Sequence, residues 1–174
     1  YNVLDTINWM ARKKGEDNIC RMVTSISSLM RASISNKRSM VYIREEIKYV
    51  QDYLYIQETR YGDKFTSYIE VDERLNELEI PKMTIQTLVE NAVVHGLSKK
   101  ETGGILHIRI WKKDRMLILS VADTGLGMSQ ERCEEVAAAM KEHRTAKIGI
   151  GLGNIYKRVH MMYQKGDLRI YSRE

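Results

Sequence analysis

The chain has 174 residues, 43% of them apolar and 29% charged, with 28 Lys and Arg against 23 Asp and Glu for a net charge of +5. That length suits one domain or a small domain with an appendage, large enough to bury roughly 70% of its unfolded surface without staples. The composition excludes a disordered chain, no apolar run approaches the ~20 residues of a membrane span, and Tyr1–Lys14 reads as helix rather than as a leader peptide, so a soluble piece is expected.

Breakers divide the chain unevenly. The only proline is Pro81 and ten of the eleven glycines lie from Gly62 onward, so the N-terminal third is helical. Val3, Leu4, Ile7 and Met10 recur at helical spacing up to Lys13-Lys14-Gly15. Asp17 is placed to cap a second helix carrying Ile19, Met22, Val23, Ile26, Leu29 and Met30. After a polar Ser35–Ser39 turn, a third helix from about Ile43 to Arg60 sets Ile47, Val50, Tyr53, Leu54 and Gln57 on one face and ends at Tyr61-Gly62-Asp63.

From Phe65 the period changes to two, which predicts a strand over Phe65–Val71. Pro81 then suits the first turn of a helix carrying Met83, Ile85, Leu88, Val89 and Val93. Ile105–Trp111 and Met116–Ala122 alternate again across Lys112–Arg115, an antiparallel hairpin. Ser129 caps a helix to about Met140, a polar segment runs on to Lys147, and a glycine-rich turn opens a last helix over Leu152–Tyr163. Leu168–Tyr171 has the pattern of a final strand. The fold class is α+β: helices first, then an α/β sandwich.

Cys20 and Cys133 have no companion Cys or His at metal spacing, so they are read as reduced thiols rather than a disulfide or zinc site. The modest positive charge suits an anionic ligand such as a nucleotide. It is spread along the chain with few interleaved aromatics, which argues against direct nucleic-acid binding.

Three segments carry chemistry. In Leu88–Gly96, Glu90, Asn91 and His95 interrupt an apolar helix, with Asn91 and His95 at i,i+4 on one face. Asp123-Thr124-Gly125-Leu126-Gly127-Met128 comes directly after a strand: a carboxylate there accepts from an exocyclic amine, and the glycines admit a flat ring against the backbone. Gly149-Ile150-Gly151-Leu152-Gly153-Asn154 opens a helix whose free N–H groups and positive dipole end suit phosphate oxygens. Taken singly, the second is most simply a turn, the third matches a dinucleotide fingerprint that no parallel βαβ unit surrounds, and Asn91 and His95 are most simply satisfied core polars. In this order, with a polar segment between the second and third, coincidence is the poorer explanation.

Together they resemble the N, G1 and G2 boxes of two-component sensor histidine kinases: Glu90-Asn91-Ala92 to His95-Gly96, Asp123 to Gly127, and Gly149 to Gly153. Their wording is most similar to the YesM-type subgroup. The helical third agrees, Tyr1–Ala11 resembling the stretch just after the phosphoacceptor histidine and Tyr49–Phe65 the connection into the catalytic domain. The resemblance implies N-terminal dimerisation helices followed by a Bergerat-type (GHKL) sandwich of a mixed, largely antiparallel sheet packed on helices. Residues 1–61 would be a partial dimerisation and phosphotransfer segment with its connecting helix, and residues 62–174 the ATP-binding catalytic domain.

Carried over residue by residue, the resemblance makes ATP and Mg²⁺ the cofactors, with Asn91 the Mg²⁺ ligand. Asp123 accepts the adenine amino group, Gly125 and Gly127 shape its pocket, and Gly149, Gly151 and Gly153 flank the triphosphate. Met128 and Leu152 join the ATP contacts, and His95 touches phosphate. Glu90 polarises the attacking imidazole, making Glu90 and Asn91 the catalytic pair. Met128 to Ile148 would be a mobile lid, where Lys141, Arg144 and Lys147 approach phosphates or are simply solvated. The ATPase branch of the fold has a general-base Glu where this chain has Thr87, which argues against a water-activating ATPase.

The family's phosphoacceptor precedes its Tyr-Asn by three residues, ahead of Tyr1, and none of His95, His107, His143 or His160 takes that place. Residues 1–174 are therefore not expected to autophosphorylate at that site. The last strand and the Gly-Thr that complete the adenine pocket would come after Glu174, and sensor and membrane segments would lie upstream. The implied protein is the cytoplasmic kinase core of a bacterial inner-membrane sensor, touching the membrane only through those upstream segments. Its partners are a response regulator, commonly AraC-type, and a second copy docked through Met10, Ile19, Met22, Ile26, Leu29 and Met30, a stripe that equally serves as intramolecular core. The competing readings are an anti-sigma-factor-type serine kinase, disfavoured by the long helical segment, and a non-catalytic GHKL module, disfavoured by intact Asn91, Asp123 and Gly151.

Overall fold

The computed structural model describes residues 2–34, 38–141 and 149–172. Helix α1 (Asn2–Lys13) packs on α2 (Asp17–Ile34), α2 on α3 (Ile43–Tyr61), and α3 on α4 (Thr84–Asn91). Helix α1 buries only Ala11 and leaves Val3, Ile7, Trp9 and Met10 exposed. Helix α2 buries Val23 and Ala32, and its Ser25 donates to Asp52 Oδ1 of α3 at 3.0 Å. The periods read from the sequence place all four helices within a few residues.

Strand β2 (Phe65–Val71) runs parallel to β4 (Gly104–Lys113), which pairs antiparallel with β5 (Met116–Asp123). The β4–β5 hairpin turns through Asp114 at φ 54°, a residue type that tolerates the left-handed region. A parallel pair needs a crossover, and the segment between β2 and β4 supplies it by laying α4 on the inner face of the sheet. Alternation along β4 buries Leu106, Ile108 and Ile110 against Val50 and Leu54 of α3 and Ile85 and Val89 of α4, with Val93 just beyond. The other face keeps Tyr68 and Ile105 in solvent. A smaller cluster forms where α5 (Gln130–Lys141) meets α6 (Ile150–Met162), from Val136, Ala139, Met140 and Tyr156. Ser129 caps α5 as expected, accepting from Arg132 N at 3.2 Å.

Two expectations are corrected. Pro81 does not open the α4 helix. It ends the short strand β3 (Glu79–Pro81), which pairs antiparallel with β1 (Met40–Tyr42) in a separate two-stranded sheet, where an edge proline gives up little ladder bonding. Leu168–Tyr171 joins no ladder among the described residues. Asp167 Oδ1 takes the Leu168 N–H at 2.9 Å, and Leu168 and Ile170 pack half-buried on the α5–α6 cluster.

Candidate active site

Helix α4 starts without a cap of its own. Met83, just before it, sits at φ 62°, ψ 25°, which costs a bulky residue about 1 kcal/mol or more. The acceptor comes from α3. Glu46, 0% exposed, takes the Met83 N–H on Oε1 and the Ile85 and Gln86 N–H groups on Oε2 at 3.0 and 3.4 Å. A carboxylate at this end also meets the positive end of the helix dipole. Burial pushes the Glu46 carboxyl above its ordinary range, against the pull of those N–H groups and of Arg158 on α6.

Along α4 the bonds step by one turn. Thr87 Oγ1 donates to Met83 O at 2.6 Å, and Asn91 Nδ2 donates to Thr87 O at 2.7 Å, which leaves the Asn91 Oδ1 as the side chain's acceptor atom. Glu90 Oε1 accepts from Gln86 Nε2 at 2.9 Å. Beside it, the buried Tyr53 phenol is pushed up to about 12 by burial first and then by the Glu90 charge. After Asn91 the helix widens into a π turn over Ala92–Gly96. Within that wider turn His95 is exposed, while Asn91 just before it is half-buried.

The π turn ends on Gly96, whose backbone meets the loop after β5. A Cβ on Gly96 would lie 2.5 Å from Asp123 Oδ1, and one on Gly125 would lie 2.4 Å from Gly96 Cα. Only two glycines permit this approach. Asp123 Oδ1 accepts the Gly125 N–H at 2.8 Å, which fixes the carboxylate and leaves its second oxygen exposed. The loop is pinned to the sheet by Thr124 N to Ile105 O at 3.0 Å and by Ile105 N to Thr124 Oγ1 at 2.9 Å. Lys100 Nζ donates to Thr124 O at 2.8 Å.

Helix α6 arrives on the other side of Asn91. A Cβ on Gly151 would lie 2.9 Å from Thr87 Cγ2 and 3.4 Å from Asn91 Nδ2, so the glycine-rich helix start backs onto the Asn91 side chain. The first turn closes with Gly153 N to Gly149 O at 2.9 Å. Arg158, further along α6, donates to Lys82 O beside the start of α4.

The structure therefore brings Asn91 to Gly151 and Gly96 to Asp123 and Gly125, on one side of α4 after the other. Glu90 is turned to Gln86, Gly127 and Met128 continue the Asp123 loop with Met128 N donating to Ser172 Oγ at 2.8 Å, and Leu152 packs on the α5–α6 cluster. Within the expected lid, α5 ends at Lys141, and Arg144, Lys147 and His143 lie outside the described residues. Glu46, Lys82 and Arg158 were not legible as site residues. The Arg44-Glu45-Glu46 run looks like surface charge in a helix's first turn, and only tertiary contact reveals that its third member is buried.

Residues 78–174 match the family model described as histidine kinase-, DNA gyrase B- and HSP90-like ATPase, and residues 1–65 match the one described as histidine kinase. The chain belongs to the histidine kinase-, DNA gyrase B- and HSP90-like ATPase family. Within that family it is similar to Sensor histidine kinase YesM of Bacillus subtilis (strain 168), 32% identical over 173 residues, 99% of this chain and 28% of that protein. Sensor histidine kinase YpdA of Escherichia coli (strain K12) is 31% identical over 167 residues, 95% of this chain and 28% of that protein. Sensor protein LytS of Oceanobacillus iheyensis is 31% identical over 175 residues, 99% of this chain and 30% of that protein. The chain thus spans under a third of the length of these relatives. Along the chain the histidine kinase match comes before the ATPase-family match.

Proposed function

We propose that this chain is the ATP-binding kinase core of a two-component sensor histidine kinase, passing the ATP γ-phosphoryl to a histidine and from there to a response regulator. The observation that carries the reading is the placement of α4 between two partners, with Asn91 against Gly151 and Gly96 against Asp123 and Gly125. One end offers a carboxylate and bare backbone for an adenine, and the other a helix N-terminus for phosphates. Residues 1–61 are the dimerisation and phosphotransfer segment with its connecting helix, and residues 62–174 the catalytic domain.

The donor set fits Mg²⁺. Asn91 spends its amide nitrogen on Thr87 O and so presents an oxygen, the atom a hard cation takes. An ion of this kind is commonly held by one or two protein oxygens together with water and substrate phosphates, and Asn91 would supply the protein oxygen. Bound there, Mg²⁺ would neutralise charge on the phosphates.

Asp123 would orient adenine through its free oxygen, and Gly125 and Gly127 with Met128 would wall the pocket. Gly149, Gly151, Leu152 and Gly153 would bring backbone N–H groups to the triphosphate, with His95 at its exposed edge. Glu90 would hold the attacking imidazole. A bond forms from imidazole nitrogen to γ-phosphorus as the bond to the β,γ-bridging oxygen breaks, and ADP leaves. The chain's task is positioning and charge neutralisation, so Thr87 in place of a general base is no handicap. The exposed Met10, Ile19 and Met30, with half-buried Met22, Ile26 and Leu29, support docking of a second copy on α1 and α2. None of the described helices is long and apolar enough to cross a membrane, so attachment to an inner membrane would come through other segments, and the regulator partner would be AraC-type.

The test is phosphoryl transfer from γ-labelled Mg-ATP to a version lengthened at its N-terminus by a segment bearing a histidine three residues ahead of Tyr1. Label that is acid-labile and base-stable, and absent from Asp123→Asn, is expected. Acid-stable label would place the chain with the serine kinases instead.

A further inference from the structure

We propose that Glu46 and the Lys82–Met83 turn form a mechanical link that ties the nucleotide site to α2 and α3, making Glu46 a positioning residue for Asn91. The proposal rests on the kinase-core reading and names a route by which that site is regulated.

Four helices meet at two consecutive residues. The Lys82 side chain donates to Ala32 O near the end of α2, and Lys82 N donates to Ser39 O at 3.0 Å. Lys82 O accepts from Arg158 of α6, the helix that carries Gly151. Met83 N donates to Glu46 of α3, and Met83 O accepts Thr87 Oγ1 of α4 at 2.6 Å. From there the bonds run Met83 to Thr87 to Asn91, one helical turn at a time. Thr87 is also the side chain against which Gly151 is set. Both phosphate-side elements, the Asn91 helix and the Gly151 helix, are thus fastened to a turn that is also attached to α2, to Ser39 and to α3.

The link is stiff for physical reasons. Glu46 is fully buried and accepts from three N–H groups at the start of α4, so a shift of α4 against α3 breaks those bonds in a buried setting. Met83 holds a backbone conformation disfavoured for its side chain, which the Glu46 contact fixes. Close-packed elements joined this way move between discrete arrangements rather than deform smoothly. Coupling is reciprocal, so a nucleotide that orders Asn91 and Gly151 must also stabilise α2 and α3.

The test is amide hydrogen exchange, read by mass spectrometry on the 174-residue chain with and without saturating Mg-ATP. In the unsubstituted chain, nucleotide is expected to slow exchange in Thr84–Asn91 and, by about fivefold or more, in α2 and α3 as well. Glu46→Gln, which sets an amide group against backbone donors, should keep the α4 protection at saturation while losing that of both distant helices. Lys82→Met leaves every backbone bond in place and should lose protection in α2 alone, so it carries the test even if Glu46→Gln does not fold. Binding with protection confined to α4 and α6, or distant protection that survives both substitutions, would overturn the link while leaving the kinase-core reading standing. No nucleotide binding by the unsubstituted chain would overturn that reading, and the link with it.

Discussion

Gly125→Ala is expected to weaken adenine-nucleotide binding by tenfold or more, about 1.4 kcal/mol, and to lower the stability of the fold by ~1–3 kcal/mol. The new methyl would stand 2.4 Å from both Cα and C of Gly96 and 2.6 Å from Asp123 Oδ1. Two of these neighbours are backbone of the π turn, so no side chain can swing aside to make room. Either the Asp123 loop lifts from the π turn or that turn unwinds, and each moves the carboxylate away from the ring it is proposed to hold. Gly15→Ala is the control. Unlike Gly125 it carries a positive φ, 71°, and a Cβ there meets open space, so the substitution costs about 1 kcal/mol of backbone strain and leaves nucleotide affinity unchanged. Titration with a fluorescent ATP analogue beside thermal melts separates the two effects. Equal affinities for the two variants would contradict the close approach.

The largest effect on stability alone is expected at Leu106→Ala, a loss of about 2–5 kcal/mol. Leu106 is fully buried on β4, the strand that both other strands of its sheet flank, and it belongs to the core shared with α3 and α4. Its neighbour Ile105 points to the opposite face and is 45% exposed, so Ile105→Ala should cost well under half as much. Urea denaturation reads the difference as a shift in midpoint at constant slope. Similar midpoints for the two variants would mean that the faces of the sheet are wrongly assigned.

The assignment of faces along β4 was open to reading because it needs only a period of two, visible in Ile105–Trp111 itself. The helices α1 to α3 and the hairpin turn at Asp114-Arg115 were legible on the same local grounds. What stayed hidden depends on partners distant in the chain. Nothing in Phe65–Val71 tells that it pairs parallel with β4 rather than with a hairpin neighbour. Pro81 satisfies a helix-start rule locally, yet Met40 claims it for a strand. Leu168–Tyr171 alternates like a strand, but Asp167 takes its first N–H.

The three site segments were legible because each combines a residue type with a backbone need: a carboxylate with glycines, an amide in a helix, glycines at a helix mouth. Their mutual placement rests on contacts that single residues do not announce. Gly96 reads as the close of a motif, and its part as the surface on which Gly125 lies appears only in three dimensions. Glu46 is the sharper case. Glu45 and Glu46 are adjacent and look alike, yet one caps its own helix through Tyr42 N at 3.0 Å and the other caps a helix thirty-odd residues away. The π turn over Ala92–Gly96 likewise has no sequence signal here.

The most direct measurement is a calorimetric titration of the 174-residue chain with ATP, with and without Mg²⁺, beside Asn91→Ala and Asp123→Asn. The unsubstituted chain should bind ATP more tightly with Mg²⁺ than without it. Asn91→Ala should bind equally in both conditions, because the oxygen proposed to hold the ion would be gone, and Asp123→Asn should lose binding in both. Unchanged binding and an unchanged response to Mg²⁺ in both variants would contradict a nucleotide site built on Asn91 and Asp123.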